Sequence, residues 1–122
     1  MSQSETLTLV SAALEAKPGA VGNALPSAPG VTLHKVMGKM FAVLELRKAR
    51  YLIVKCDPHL AEILREQYAG VGHRSHLNRR FWIAIDLDAD VPADEIVSLI
   101  ERSYALVCEG LTRKQKAELA AL

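Results

Sequence analysis

The stretch that decides the fold is residues 31–56, VTLHKVMGKMFAVLELRKARYLIVKC. Three short runs in it, Val31 to Val36, Met40 to Leu46 and Tyr51 to Cys56, are apolar and rich in branched or aromatic side chains, the composition of strands. Brief polar pieces separate them. Met37-Gly38-Lys39 supplies one turn and Arg47 to Arg50 the next. Connections this short leave no room for a parallel crossover, so the three strands form an antiparallel meander.

Working outward toward the C-terminus, Asp57-Pro58 opens a helix, with an acidic cap followed by proline at the first helical position. Leu60, Ile63, Leu64 and Tyr68 line one of its faces, and Gly70 ends it. A second hairpin follows: Gly72 to Leu77, a turn at Asn78-Arg79-Arg80, and a return from Phe81 to Leu87. Alternation sends Phe81, Ile83, Ile85 and Leu87 to one face and Arg80, Trp82, Ala84, Asp86 and Asp88 to the other. Asp90, read as a cap, and Pro92 then open a long helix to about Glu109. Ile96, Leu99, Ile100, Ser103 and Val107 recur along it at helical spacing. Gly110 breaks it, and Thr112 to Leu122 reads as a short terminal helix.

Toward the N-terminus, a helix is expected from Ser4 to Ala16, with Ser2 and Glu5 spaced as a capping box and Pro18-Gly19 as its stop. Gly19 to Gly30, uncharged and rich in glycine and proline, reads as a loop. The expected order is α-βββ-α-ββ-α-α: an α+β fold in which a five-stranded antiparallel sheet carries its helices on one face. Its core should bury Leu52, Val54, Phe81, Ile83 and Ile85 against Ile63, Leu64, Ile96, Leu99 and Ile100.

At 122 residues the chain is expected to be one domain, 1–122. Half of it is apolar and 24% is charged, which excludes a disordered or collagen-like chain. No apolar run approaches the roughly 20 residues of a membrane helix. The start, Ser2-Gln3-Ser4-Glu5, lacks the basic and apolar regions of a signal peptide. Cys56 and Cys108 lie far apart and read as reduced thiols, so the expected location is the cytoplasm. The net charge is only +1, but Val31 to Trp82 carries ten basic residues against four acids, and all four histidines. A basic middle of this kind suits an anionic partner.

The blocks KCDPHLAEILREQYAGV (55–71), HLNRRFWIAIDLD (76–88) and VPADEIVSLIERSYALV (91–107), with GKMFAVL (38–44) before them, resemble the core of the MmcQ/YjbR family of small bacterial proteins. The resemblance implies a fold similar to frataxin-like α+β sandwiches and to a double-wing DNA-binding domain, and the DNA-binding label that goes with it. Two places depart from the family pattern. The run GAVGNALPSAPG (19–30) has neither its acids nor its aromatics, and Phe81 stands where relatives carry a histidine before the tryptophan.

Two functional readings follow. In the first the chain is a non-enzymatic DNA-binding protein. Lys35 and Lys39 beside one hairpin turn, Arg47, Lys48 and Arg50 in another and Arg79 and Arg80 in a third would meet phosphates, with Arg74 in the same basic patch. Asn78, Arg80 and Trp82 would share a face on which a base can stack. His76 would support the turn by hydrogen bonding. In the second it is a protein-interaction or small-ligand module with no nucleic-acid role, in which the loop from Gly19 to Gly30 covers a pocket floored by Trp82. An apolar hollow under that loop, with the basic residues scattered, would favour the second. No catalytic motif is present, and His73 and His76, three apart on a strand, make poor metal geometry. No cofactor, metal or membrane partner is expected, and a monomer is the plausible state. Cys56 alternates with Leu52 and Val54 and reads as a buried structural thiol.

Overall fold

The computed structural model describes residues 3–122. Among these residues four helices flank an antiparallel sheet: α1 (Gln3–Glu15), α2 (Pro58–Gln67), α3 (Ala93–Glu109) and α4 (Arg113–Ala120). The strands are β1 (Ala20–Ala24), β2 (Val31–Val36), β3 (Lys39–Glu45), β4 (Tyr51–Lys55), β5 (Val71–Gly72) and β6 (Trp82–Asp86), arranged β1-β2-β3-β4-β6-β5. The meander of β2, β3 and β4 is as the sequence implies. The sheet has six strands rather than five. The extra one is β1, inside the stretch read as a loop. Ala-Val-Gly-Asn-Ala carries little strand propensity, and it joins through backbone pairing to β2. Gly22 fits there because a Cβ would sit 3.1 Å from the His34 ring. The second hairpin is also shorter than expected. β5 is two residues long, and 73–81 is a loop.

Met37 and Gly38 turn β2 into β3 with φ values of 50° and 79°, the left-handed pair whose twist matches flanking strands. Just after this turn the register slips: Lys35 faces Met40 but His34 faces Ala42, leaving Phe41 as an extra, bulged residue. Ser103 on α3 locks the bulge. Its hydroxyl donates to the Phe41 carbonyl at 2.6 Å and accepts from the Lys55 amide at 2.9 Å.

Asp57 caps α2 as the sequence implies, its carboxylate accepting from the His59 and Leu60 amides. The α4 start is a capping box of Thr112 and Gln115. The Ser2–Glu5 box expected for α1 lies outside the described residues. Asp90 is not the cap of α3: Pro92 holds that position. The Asp90 carboxylate instead accepts from the Ala69 and Gly70 amides at 2.8 and 2.7 Å, tying the loop before α3 to the end of α2. Those two bonds hold the carboxyl below its ordinary pKa.

The helices cover one face, where Leu52, Val54, Ile83, Ile85, Leu64, Ile96, Leu99 and Ile100 form a single buried core. Two expected members are outside it. Ile63 is 44% exposed, because α2 turns Ala61 and Leu64 inward and Ile63 points away. Phe81 is 37% exposed, because the strand starts at Trp82 and Phe81 belongs to the turn before it. Cys56 is buried, which pushes its thiol up to about 11. No helix among the described residues is long and apolar enough to cross a membrane.

Candidate functional site

Strand pairing sorts the second face of the sheet. Across it, Leu33, Val43, Ile53 and Ala84 stand in one row, with Val31, Glu45, Tyr51 and Asp86 in the next. Among the described residues no helix lies over these rows. Val31, Val43, Ile53 and Ala84 nevertheless form a second buried cluster, because two loops close on them. Leu25 and Ala28 come from the turn joining β1 to β2, and Leu77 comes from the loop before β6. The first loop is held by a chain of backbone bonds, Ala28 N to Leu25 O and Val31 N to Ala28 O among them. The second is held by Ser75, whose hydroxyl accepts from the Leu77 amide, and by Asn78, whose side-chain oxygen accepts from the Arg80 amide.

Between the loops and the sheet lies a cavity of about 560 Å³. Leu33, Met40, Val43 and Ile53 make its floor, Leu25 and Ala28 one wall, and Ser75, His76 and Leu77 the other. Its charged rim is organised by Glu45. Arg47 donates to that carboxylate at 2.7 Å, and Arg74 Nε lies 4.0 Å from it while the Arg74 guanidinium stacks 3.9 Å above the Tyr51 ring. Both arginines are thus oriented at the mouth, over an apolar interior. The apolar floor had no place among the sequence-based candidates, whereas Arg47 stood among the basic turn residues. The signal was there: the unbroken apolar runs of β3 and β4 require cover on both faces.

The structure separates the residues proposed from sequence. Lys35 stands on the open face beside Met40. Lys39 reaches the other way, its Nζ donating to the Gly110 carbonyl at the end of α3. Arg74 and His76 edge the open-face cavity. His76 does not hold the turn; Ser75 and Asn78 do. Arg79 and Arg80 lie in a different concavity, against α2. The shared face expected for Asn78, Arg80 and Trp82 required strand geometry at the turn, and the strand begins only at Trp82. Trp82 is half-buried and packs against the second cluster, but it is not the floor expected beneath the 19–30 segment. Leu33, Met40, Val43 and Ile53 are that floor, and Trp82 lines a separate hollow beside Pro58 and Leu106. Among the described residues no group of three or more His, Cys, Asp or Glu side chains is placed to hold a metal ion.

Known proteins share this architecture. The sequence matches the YjbR family over residues 15–106. It is 32% identical over 108 residues to the uncharacterised protein YjbR of Escherichia coli K12, covering 88% of this chain and 91% of that one. It is 26% identical to the uncharacterised protein YbdF of Escherichia coli O157:H7 over 75% of each chain. The crystal structure of Deinococcus radiodurans protein DR2400 superposes with a TM-score of 0.79 at 28% identity, covering 89% of this chain and 83% of that one. A protein from Pseudomonas syringae superposes with a TM-score of 0.69 at 23% identity over 82% of this chain and 96% of its own, a likeness of fold alone. The matched span takes in the whole sheet, α2 and most of α3, so the chain belongs to the YjbR family.

Proposed function

We propose that this protein is a non-enzymatic binding module whose open sheet face takes a small molecule with an apolar body and an anionic or hydrogen-bonding end. The observation that carries this reading is the 560 Å³ cavity, floored by Leu33, Met40, Val43 and Ile53 beneath the Leu25–Ala28 turn. Its volume is that of a typical small-ligand site, and its make-up, apolar inside with a few oriented polar groups at the mouth, is also typical. Arg47 and Arg74 supply the donors, pre-positioned by Glu45 and Tyr51. The scatter of Lys35, Lys39, Arg74 and the Arg79–Arg80 pair over different surfaces favours this reading over a single phosphate-tracking face.

The test pairs two titrations on the full chain. An apolar anionic dye, anilinonaphthalene sulfonate, should bind saturably at micromolar concentration, and Leu33→Glu, which puts a charge on the cavity floor, should abolish binding while the fold persists by circular dichroism. Random-sequence duplex DNA, followed by anisotropy at low salt, should show no strong binding. Micromolar duplex binding with a steep salt dependence, beside dye binding that Leu33→Glu leaves intact, would overturn the proposal and restore the DNA reading.

A further inference from the structure

Away from that cavity, on the α2 side of the 78–82 turn, a second concavity of about 570 Å³ is walled by Pro58, His59, Arg65, Arg79 and Arg80. Glu62 and Glu66 also line it, yet none of the three arginines is in an ion pair among the described residues. Arg65 is fixed in place: its Nη2 donates to the Arg79 carbonyl at 2.6 Å and to the Trp82 carbonyl at 3.2 Å, and its Nε is buried without a partner. Arg79 and Arg80 project from a turn held by Asn78, whose side chain takes the Arg80 amide and whose carbonyl takes those of Phe81 and Trp82. The amides at the start of α2 are occupied by Asp57, so the side chains themselves make the site. Burial and the neighbouring Arg79 pull the Arg65 guanidinium below its ordinary pKa, and the Glu62 carboxylate opposes them only in part.

The concavity shares Pro58 with a smaller hollow of about 400 Å³ lined by Phe81, Trp82 and Leu106. The exposed Phe81 ring stands beside Arg80, whose guanidinium lies 5.6 Å from its centroid. A carboxylate has two oxygens and is satisfied by one guanidinium fork, whereas a terminal phosphoryl group presents three and suits several. An aromatic shelf beside the cations adds a place for a flat apolar body. We propose that this groove binds a phosphomonoester carried on an aromatic body, a nucleoside monophosphate or the 5′-phosphorylated end of a nucleic acid, with the phosphoryl group among Arg65, Arg79 and Arg80 and the ring against Phe81.

Calorimetry on the full chain with adenosine monophosphate as probe tests this. Binding should weaken at least about tenfold in Arg79→Ala and in Arg80→Ala, each losing a charge-assisted bond, and should be unchanged in Lys114→Ala on α4. Adenosine, which lacks the phosphoryl group, should bind at least about tenfold more weakly than the monophosphate. Thermal midpoints of all variants should stay near wild type, since these side chains are on the surface. Displacement of the probe by a 5′-phosphorylated oligonucleotide would place the natural phosphoryl group on nucleic acid; failure to displace would place it on a free nucleotide. No detectable binding at millimolar probe, equal binding in the Arg79→Ala/Arg80→Ala double variant, or displacement by a 5′-hydroxyl duplex would overturn the monoester site.

Discussion

The helix-covered face of the sheet and its open face are built from the same central strands, and alternate residues of each strand serve one or the other. Leu52, Val54, Ile83 and Ile85 meet α1, α2 and α3 and are sealed. Ile53 and Ala84, one step along the same strands, and Val43 beside them are covered by loop residues such as Leu25, Ala28 and Leu77 instead of helices. Helices supply long side chains at close spacing and fill the space above a sheet. Two short loops cover it but do not fill it, and the difference is the 560 Å³ cavity. One face thus carries most of the stability, and the other keeps room for a ligand.

The largest expected effect lies on the sealed face. Ile83 is fully buried, so Ile83→Ala should cost ~2–5 kcal/mol in urea unfolding by leaving a closed void. Ser103→Ala comes next. It strands the Phe41 carbonyl and the Lys55 amide, and should cost ~1–3 kcal/mol. Ser103→Thr, which keeps the hydroxyl, should lose less than Ser103→Ala; the reverse order would mean that packing rather than hydrogen bonding holds the bulge. Ile53→Ala on the open face should cost less than Ile83→Ala, about 2 kcal/mol, because it widens a space already open to solvent rather than creating a sealed one. Equal losses for the two isoleucines would break the comparison, since the faces would then be equally packed.

What could be read from sequence follows the same division. The meander, the Asp57-Pro58 helix start and the helix after Pro92 announce themselves through period, cap and breaker, which are local signals. Strand β1 announces nothing: Ala20–Ala24 lacks bulk and alternation and becomes a strand only because the β2 backbone beside it needs partners. Phe81 and Ile63 fit their periodic patterns, yet Phe81 falls in the turn before β6 and Ile63 on the outward side of α2. The candidate site was least legible, because it joins a turn at residues 25–28 to a loop at 73–77 across a floor drawn from three strands. Charge read along the chain placed Arg74 and Arg79 together, while the fold sends Arg74 over Tyr51 and Arg79 toward α2.

The smallest expected effect depends on pH and again separates the faces. His34 sits on the helix-covered side of β2, 7% exposed, with Nε2 lacking a partner and its ring against Gly22 and 6.4 Å from Phe41. Burial lowers its pKa from 6.5, and the Glu15 carboxylate opposes that only in part. The unfolded chain therefore binds a proton that the folded chain refuses between 6.5 and the lowered folded value. Stability from this group is complete above pH 6.5, declines as pH falls below it, and levels off once the folded pKa is passed. Asp90, held below its ordinary carboxylate value, titrates in a separate and more acidic range. Urea midpoints measured from pH 7.5 to pH 5 should fall for the wild type and fall less steeply for His34→Leu, which cannot take the proton. On the open face Arg74→Ala should move the midpoint without altering its pH slope, because arginine stays charged throughout that range. An identical slope in wild type and His34→Leu would show that the buried imidazole is not the group that couples folding to pH.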